Sequence, residues 1–287
     1  MPSLIDLRRR IRSVTNTQQI TKAMKVVSAA KLRRAQDRVL AARPYAQIIR
    51  RMLINVAQAA AEQHQDEGVD LLAKRPEKRI QLLVITADRG LAGAFNSNVI
   101  RTAQLFIRDH ADAEVHLELI GRKGRDFFRK RHSRVTGDYS TLFQKAPRFE
   151  DALEIARKVT ERFRKAEIDA VYLVVNNFKS MMASRLVVTR VLPVEVPEKQ
   201  EQIDYIYEQP PGKLLESLLP RYIEAQIFRA MLESAAAEHA ARMTAMEAAS
   251  SNAADVIDAL TLKMNRVRQA SITREIIEIV SGAAALD

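Results

Sequence analysis

The sequence predicts an α/β chain in which two long terminal helices form an antiparallel coiled coil and flank an inserted α/β domain. Three observations support this fold class. The eight glycines fall at 68, 90, 93, 121, 124, 137, 212 and 282, which leaves long glycine-free segments at both ends. Apolar residues recur every three or four positions in those segments, whereas the middle alternates strand-like and helix-like patterns. We therefore predict helices over 1–67 and 212–287 and a domain over 68–211.

The N-terminal segment carries a heptad-like seam of apolar residues from Leu4 to Val56. Pro44 interrupts it and predicts a kink or break there, because proline removes a helix hydrogen bond. Between residues 18 and 28 the seam positions become polar, and the apolar residues move to Ile20, Ala23, Met24 and Val27. This shift predicts that the buried face rotates around the helix in that segment.

The charge of the chain is concentrated in this first helix. Residues 1–58 hold 13 Lys and Arg against 2 Asp and Glu, while the formal net charge of the whole chain is +11. A face so poor in acids predicts an acidic partner. Nucleic acid is the alternative, but tryptophan is absent and the basic residues are not interleaved with aromatic stacking residues.

The middle segment predicts a mostly parallel sheet covered by helices. The expected strands are 80–86, 115–120, 170–176 and 185–192, and the expected helices are 95–110, 123–131 and 149–166. Because a compact domain often begins and ends close together, the two terminal helices should run antiparallel.

The C-terminal segment has a matching seam from Leu232 to Val267, rich in small residues and methionine, with His239 as a polar seam position. About 75 residues follow Gly212, so this helix should extend beyond the first. Its end, ASITREIIEIVSGAAALD, is apolar over much of its circumference. The end could enter a socket on another protein or fold back on its own domain, and spacing alone does not choose between them.

The segment from Asp88 to Gly93 raises the possibility of a nucleotide site, because glycines in a strand-to-helix turn can hold phosphates. Two glycines are fewer than the dinucleotide fingerprint requires, and the second predicted strand is followed by Gly121-Arg122-Lys123 instead of ending in an acidic residue. The Walker phosphate-loop motif is absent. A nucleotide-dependent enzyme nevertheless stays an alternative.

Other chemistry has little support in the sequence. The chain has no cysteine, and its five histidines lack metal-ligand spacing. We find no candidate catalytic, cofactor-binding or metal-binding residues. No segment reads as a signal peptide or a membrane span, so we expect a protein that is soluble or peripheral to a membrane.

Three stretches together resemble the gamma subunit of F-type ATP synthases. They are NTQQITKAMKVVSAAKLRRAQDR at 16–38, TADRGLAGAFN at 86–96, and ARMTAMEAASSNAADVIDALTLKMNRVRQASITREIIEIVSGAAAL at 241–286. The resemblance implies a Rossmann-like domain and a non-catalytic rotor shaft that couples ion flow to the catalytic beta subunits. Its implied partners are three alpha and three beta subunits, the epsilon subunit and the membrane c-ring, with no cofactor and no nucleic acid. The implied location is the cytoplasmic face of the bacterial plasma membrane.

The resemblance also implies three groups of contact residues. The beta-subunit contacts would be Lys22, Met24, Lys25, Arg266, Arg268, Gln269 and Thr273. The apolar bearing tip would be Ile276, Ile279, Val280 and Leu286. The contacts at the foot, near the ring, would be Tyr205, Tyr207 and Glu208.

Overall fold

The computed structural model describes residues 3–63, 69–132, 134–142, 146–178, 184–196 and 207–284. The chain forms two compact units, one made of residues 1–28 and 242–287 and the other of residues 29–241. Helix α1, Leu4–Glu62, and helix α5, Pro211–Ala284, each contribute to both units. The predicted three-segment division of the chain stays a prediction.

The larger unit contains a five-stranded sheet. Its strands are β1 Arg79–Ile85, β2 Glu114–Ile120, β3 Val135–Tyr139, β4 Ala170–Phe178 and β5 Ser184–Leu192. Their order is β3-β2-β1-β4-β5, and all neighbours are parallel except β4 and β5. The prediction of a mostly parallel sheet is confirmed, and the four predicted strands are present.

Both faces of this sheet are buried, as parallel sheets require. Alternate residues of β1 point to opposite faces, so Leu82 and Val84 join one apolar core while Leu83 and Ile85 join the other. The first core lies under helix α2, Phe95–Asp109, and helix α3, Arg122–Phe128. The second lies under helix α4, Phe149–Arg164, and also takes in residues of α1 and α5.

The two long helices are antiparallel within this unit. The cavities between them are lined by Lys31 with His239, by Ala46 with Ala225, and by Val56 with Leu214, so increasing numbers on α1 meet decreasing numbers on α5. The predicted pairing direction is therefore confirmed.

Of the kink or break predicted at Pro44, the break does not occur, because α1 is helical on both sides of this residue. The kink stays a prediction. Proline removes one backbone donor, but Val39 and Ile49 on either side are buried. Packing of these flanking turns outweighs the missing hydrogen bond. Pro220 is likewise inside α5.

Two short elements were not predicted from the sequence. A 3-10 helix lies at Asp70–Leu72, and β3 is an edge strand in which none of the five residues is fully buried. The segment VTGDY of β3 has one aliphatic residue, which gives little strand signal.

Candidate functional site

The glycine turn after β1 is held by hydrogen bonds within the chain. The first three backbone N–H groups of α3 all donate to the β1 turn: Arg122 to Asp88 Oδ1 at 2.8 Å, Lys123 to the Ala87 carbonyl at 3.0 Å, and Gly124 to Thr86 Oγ1 at 2.8 Å. A phosphate at a helix N-terminus needs such amides as donors. Here they already have acceptors, so the turn joins two strand ends and offers no donors for a nucleotide at α3.

Gly121 shows how closely these two strand ends approach each other. Its φ is +97°, and a Cβ at this position would clash with the carbonyl oxygen of Thr86. The Thr86 side chain also donates to the Gly121 carbonyl at 3.2 Å. A glycine is needed here for packing between two segments of backbone.

In the smaller unit, α1 and α5 pair in register around a polar layer. The hydroxyls of Thr21 and Ser250 are 2.6 Å apart, and Gln18 Nε2 donates to the Ser250 carbonyl at 3.4 Å. Lys25 forms an ion pair with Glu247. Position 25 faces 247 while position 21 faces 250, so the helices are antiparallel in this unit too.

The predicted rotation of the buried face between residues 18 and 28 is wrong. Thr21 and Ser28 are buried, whereas Ile20 and Val27 are 59% and 54% exposed. The hydroxyl of Thr21 donates to the Gln18 carbonyl and that of Ser28 to the Met24 carbonyl. A hydroxyl that bonds its own helix backbone can be buried at little cost, so the heptad seam continues through polar residues.

The predicted beta-subunit contacts on α1 differ in accessibility. Lys22 is exposed, and Met24 and Lys25 are half-buried. The Lys25 side chain is 43% exposed and its partner Glu247 is 58% exposed. This pair lies at the rim of the seam, where an outside group can reach both charges.

The predicted contacts on α5 lie towards its C-terminal end. Arg266, Arg268, Gln269 and Thr273 are all exposed, and Thr273 Oγ1 donates to the Gln269 carbonyl at 2.9 Å. Extending the Thr21–Ser250 register places Ser3, where the described part of α1 begins, opposite about residue 268. The part of α5 beyond that point has no described α1 partner, as the greater length of the last helix predicted.

This overhang of α5 exposes large apolar side chains on several sides. Ile272, Ile276, Ile277, Ile279 and Val280 are 48%, 55%, 58%, 72% and 61% exposed. These exposures are those of a helix end without a described partner helix, and the predicted socket on another protein stays a prediction. Leu286, the last predicted tip residue, lies outside the described residues.

The connector before α5 is only partly described. Tyr205 lies outside the described residues. Tyr207 is half-buried and donates from its hydroxyl to the Asn55 carbonyl at 3.4 Å, while Glu208 is exposed. The connector is thus bonded to the C-terminal part of α1.

Sequence reasoning missed a buried charged cluster under β3. Glu118 is completely buried and accepts from Lys158 Nζ at 2.7 Å and from Thr136 Oγ1 at 2.9 Å. Gly137 leaves the space that this carboxylate fills. The signal available in the sequence was an acidic residue, Glu118, between two leucines of the predicted strand 115–120.

Comparison with known proteins assigns the family. The family model described as ATP synthase matches residues 3–286. Over the full length of both chains, the sequence is 61% identical to the ATP synthase gamma chain of Solibacter usitatus and 50% identical to that of Pelotomaculum thermopropionicum.

Solved structures give the same result. A chain of the Tetrahymena thermophila mitochondrial ATP synthase central stalk and c-ring is 26% identical, with a TM-score of 0.62 over 80% of this chain and 99% of that one. A chain of the Euglena gracilis mitochondrial ATP synthase shares the fold at 18% identity, with a TM-score of 0.68 over 99% of this chain and 94% of that one. The chain belongs to the ATP synthase gamma-chain family.

Proposed function

We propose that this chain is the non-catalytic central shaft of an F-type ATP synthase, which couples ion flow through a membrane ring to conformational cycling of catalytic beta subunits. The observation that carries the proposal is the end of α5. It has no described helix partner, and its isoleucines from Ile272 to Ile279 are 48–72% exposed in the chain alone. Exposed apolar clusters of this kind mark contacts with other proteins.

An apolar tip suits a rotating axle on physical grounds. Hydrophobic attraction has no preferred direction, so a sleeve of apolar side chains can hold Ile276, Ile279, Val280 and Leu286 at every angle. Directional hydrogen bonds would favour one angle. The collar around the tip is formed by the alpha and beta subunits, three of each.

Polar contacts below the tip define resting positions. Lys22, Met24 and Lys25 on α1, and Arg266, Arg268, Gln269 and Thr273 on α5, contact the beta subunits in this proposal. The exposure of the Lys25–Glu247 pair supports the first group, because a passing acidic side chain can compete for the lysine. Exposed pairs of this type contribute about 0.2–1 kcal/mol each, which is weak enough to release as the shaft turns.

The connector at Tyr205, Tyr207 and Glu208 faces the epsilon subunit and the c-ring. In support, Tyr207 is bonded to α1, so force applied at the connector reaches both long helices. The similar Tetrahymena chain comes from a structure of a central stalk together with its c-ring.

The chain itself performs no nucleotide chemistry in this proposal. The α3 amides next to the glycine turn already have acceptors inside the chain, and the catalytic sites belong to the beta subunits. The nucleotide-dependent enzyme and the nucleic-acid alternative both lose support because full-length relatives carry the name ATP synthase gamma chain.

We place the chain at the cytoplasmic face of the bacterial plasma membrane, as a peripheral subunit. Within the described residues, every helix is too short or too polar to cross a membrane. Attachment would then come through the ring.

Two measurements test this function. Purified chain should show no stoichiometric ATP binding by calorimetry, and binding that disappears in Gly90→Ala would support the enzyme alternative instead.

In the assembled complex, a benzophenone amino acid in place of Ile279 should crosslink to alpha or beta subunits. One in place of Tyr207 should crosslink to epsilon or the ring, and capture by alpha or beta alone would contradict the placement of the foot.

A further inference from the structure

The segment around the end of helix α3 carries a dense run of positive charge. Residues 121–134 hold seven Lys and Arg and a single acidic residue. Arg129, Lys130 and Arg131 follow one another directly after α3 ends at Phe128. We call these three residues the basic triplet. The triplet lies outside every contact group proposed above.

The charge of the triplet is not neutralised by neighbouring side chains. All three side chains are exposed. Among the described residues, the ion pairs of this segment involve other arginines: Arg122 and Arg125 pair with Asp126, and Arg134 pairs with Glu114. The triplet is therefore the part of this basic run that is free to meet an outside anion.

A structural role at the helix end accounts for only part of this charge. A helix C-terminus carries about half a negative elementary charge, which one nearby cation balances. Arg131 fills that role, since its Nη1 donates to the Phe127 carbonyl at 3.1 Å in the last turn of α3. Arg129 and Lys130 therefore carry positive charge that the α3 terminus does not balance.

The triplet lies at the edge of the sheet where the parallel strands begin. We call it the amino edge; it is formed by the first residues of β1 to β4, which are Arg79, Glu114, Val135 and Ala170. Two contacts hold the segment after α3 against this edge. His132 Nε2 lies 2.8 Å from the Val115 carbonyl oxygen. The Leu117 N–H donates to the Arg134 carbonyl at 2.8 Å.

Further exposed cations border the amino edge, because helix α4 ends there and the segment before β1 starts there. In the part of the chain that the structure describes, seven exposed cations at this edge have no ion pair: Lys74, Lys78, Arg129, Lys130, Arg131, Arg164 and Lys165. Three exposed acidic residues are in the same position: Asp70, Asp112 and Glu161. The amino edge therefore has an excess of positive charge.

The chain also leaves the α/β domain at the amino edge. Strand β5 ends at Leu192, which pairs with Val171 near the start of β4. The Val194 N–H donates to the Leu71 carbonyl at 3.0 Å, so the segments that follow α1 and β5 meet here. The segment after β5 leads to the connector, which faces the membrane ring in the proposed function. The amino edge then faces the membrane, and in this respect the inference rests on the proposed function.

We propose that the basic triplet binds the phosphate groups of anionic phospholipids in the membrane that holds the ring. Arg129 and Arg131 donate to phosphate oxygens with the paired N–H groups of the guanidinium, and Lys130 adds a compact charge. Each basic residue close to an anionic membrane strengthens binding about fivefold. The shaft thus contacts lipid directly, in addition to the contact of its connector with the ring.

A lipid surface suits a turning shaft better than a stationary protein does. An acidic side chain on a stationary subunit would meet the triplet at one angle and favour that angle. A fluid anionic membrane presents the same average charge at every angle. Attraction between charges also reaches about 8 Å at physiological salt, so the triplet needs no shaped cavity.

Nucleic acid suits the triplet less well, because stacking on an aromatic ring supplies much of the affinity for single strands. The neighbouring ring is that of Phe127, and the Arg131 guanidinium already covers it at 4.3 Å from the ring centroid. This ring is therefore closed to a base, whereas the charges of the triplet stay open to a phosphate.

Binding of the purified full chain to vesicles tests the proposal without the other subunits. The probes are vesicles of phosphatidylglycerol, which is anionic, and of phosphatidylcholine, which has no net charge. We expect the chain to sediment with the phosphatidylglycerol vesicles only. Lys130→Ala should lower this binding about fivefold, and Lys130→Arg, which keeps the charge, should bind like the unchanged chain.

Two matched controls separate the triplet from the general positive charge of the chain. Lys123→Ala removes an equal charge from the other end of α3, about 10 Å away, and should lower binding less than about twofold. Arg9→Ala removes an equal charge from α1 and should also lower it less than about twofold. Equal losses in Lys130→Ala and Lys123→Ala, or a larger loss in Arg9→Ala, would indicate general attraction and overturn the proposal.

A photo-crosslink in membrane vesicles that carry the assembled complex identifies what the triplet touches. A benzophenone amino acid in place of Lys130 should yield peptides of this chain that carry a phospholipid. One in place of Asn98, which is exposed near the opposite edge of the sheet, should yield none. Capture of the ring, epsilon or any other protein from position 130, without lipid, would overturn the proposal.

Assembly and lipid binding can fail separately. A chain that does not enter the complex would contradict the proposed function, and the vesicle measurement alone would then decide the lipid contact. Equal binding of the chain to both kinds of vesicle, or binding to neither, would overturn the lipid contact and leave the proposed function in place.

Discussion

Shortening the isoleucines of the α5 overhang should weaken assembly without changing the stability of the chain itself. Ile276 and Ile279 are 55% and 72% exposed in the chain, so an apolar collar has more than half of each side chain still to bury. Replacing isoleucine by alanine removes three methylene-sized groups, worth about 0.8 kcal/mol each when fully buried. The exposed fractions reduce this to about 1–2 kcal/mol per residue, or about a 5- to 30-fold loss of affinity.

The assay is calorimetric titration of a purified alpha–beta ring with Ile276→Ala, Ile279→Ala and the double variant. Alanine is the strongest helix former, so the substitutions do not weaken the helix itself. Leu105→Ala on α2, 38% exposed, is the control and should bind as tightly as the unchanged chain. The reasoning is refuted if both tip variants keep full affinity, or if they lower the melting temperature of the isolated chain.

Three further predictions concern the α/β domain. Gly121→Ala should destabilise the chain by about 2–3 kcal/mol in urea unfolding because of its φ of +97° and the close Thr86 backbone. Gly90→Ala should leave the free energy of unfolding nearly unchanged, because the added Cβ would meet only ordinary contacts. Equal losses in Gly121→Ala and Gly90→Ala would contradict the packing role of Gly121. Lys158→Met should cost about 3 kcal/mol at neutral pH by leaving the Glu118 carboxylate buried and unpaired, and an unchanged urea midpoint would contradict this. Burial raises the pKa of Asp169, but hydrogen bonds from the Arg79 side chain and backbone together hold that pKa below its ordinary value. The stabilisation by the ionised Asp169 carboxylate is thus present above about pH 4 and is lost as the pH falls below that. The melting temperature of Asp169→Asn should therefore fall less between neutral and acidic pH than the melting temperature of the unchanged chain.

Periodicity alone predicted most of the architecture, because the heptad seam and the buried strands are repeated patterns. The apolar seam positions that are buried as expected are Leu7, Leu32, Val39, Ile49 and Leu53 on α1 and Leu232, Ala236, Met246 and Ala253 on α5. The pattern was less reliable where the effect of one residue depends on the residues packed around it. Pro44 does not break its helix, since Val39 and Ile49 in the flanking turns are buried.

Polar residues and glycine account for the wrong prediction of a rotated buried face and for the missed strand β3. Thr21 and Ser28 were expected to turn away from the seam, but each hydroxyl bonds a carbonyl of its own helix and stays buried. The hydrophobic pattern of β3 is weak because position 137 is a glycine, which leaves space for the Glu118 carboxylate of the neighbouring strand. Both effects depend on contacts that a residue pattern does not contain.

The candidate contact surfaces were only partly accessible to sequence reasoning. The apolar end of α5 was visible as a run of isoleucines, and its exposure follows from the greater length of the last helix. The cavity lined by Tyr45 and Phe228 could not be foreseen, because these residues are 183 positions apart in the sequence and line one cavity only when the helices pair. The hydrogen bonds from the first α3 amides to Thr86 and Asp88 could not be foreseen either, because they join segments more than 30 positions apart in the sequence.

Single-molecule rotation tests the central claim most directly. The chain has no cysteine, so Gln104→Cys on the exposed side of α2 can carry a single probe. With the alpha–beta ring fixed to a surface, added ATP should turn the probe continuously in one direction, with pauses repeating three times per turn. A probe that stays still while the complex hydrolyses ATP would contradict the shaft assignment.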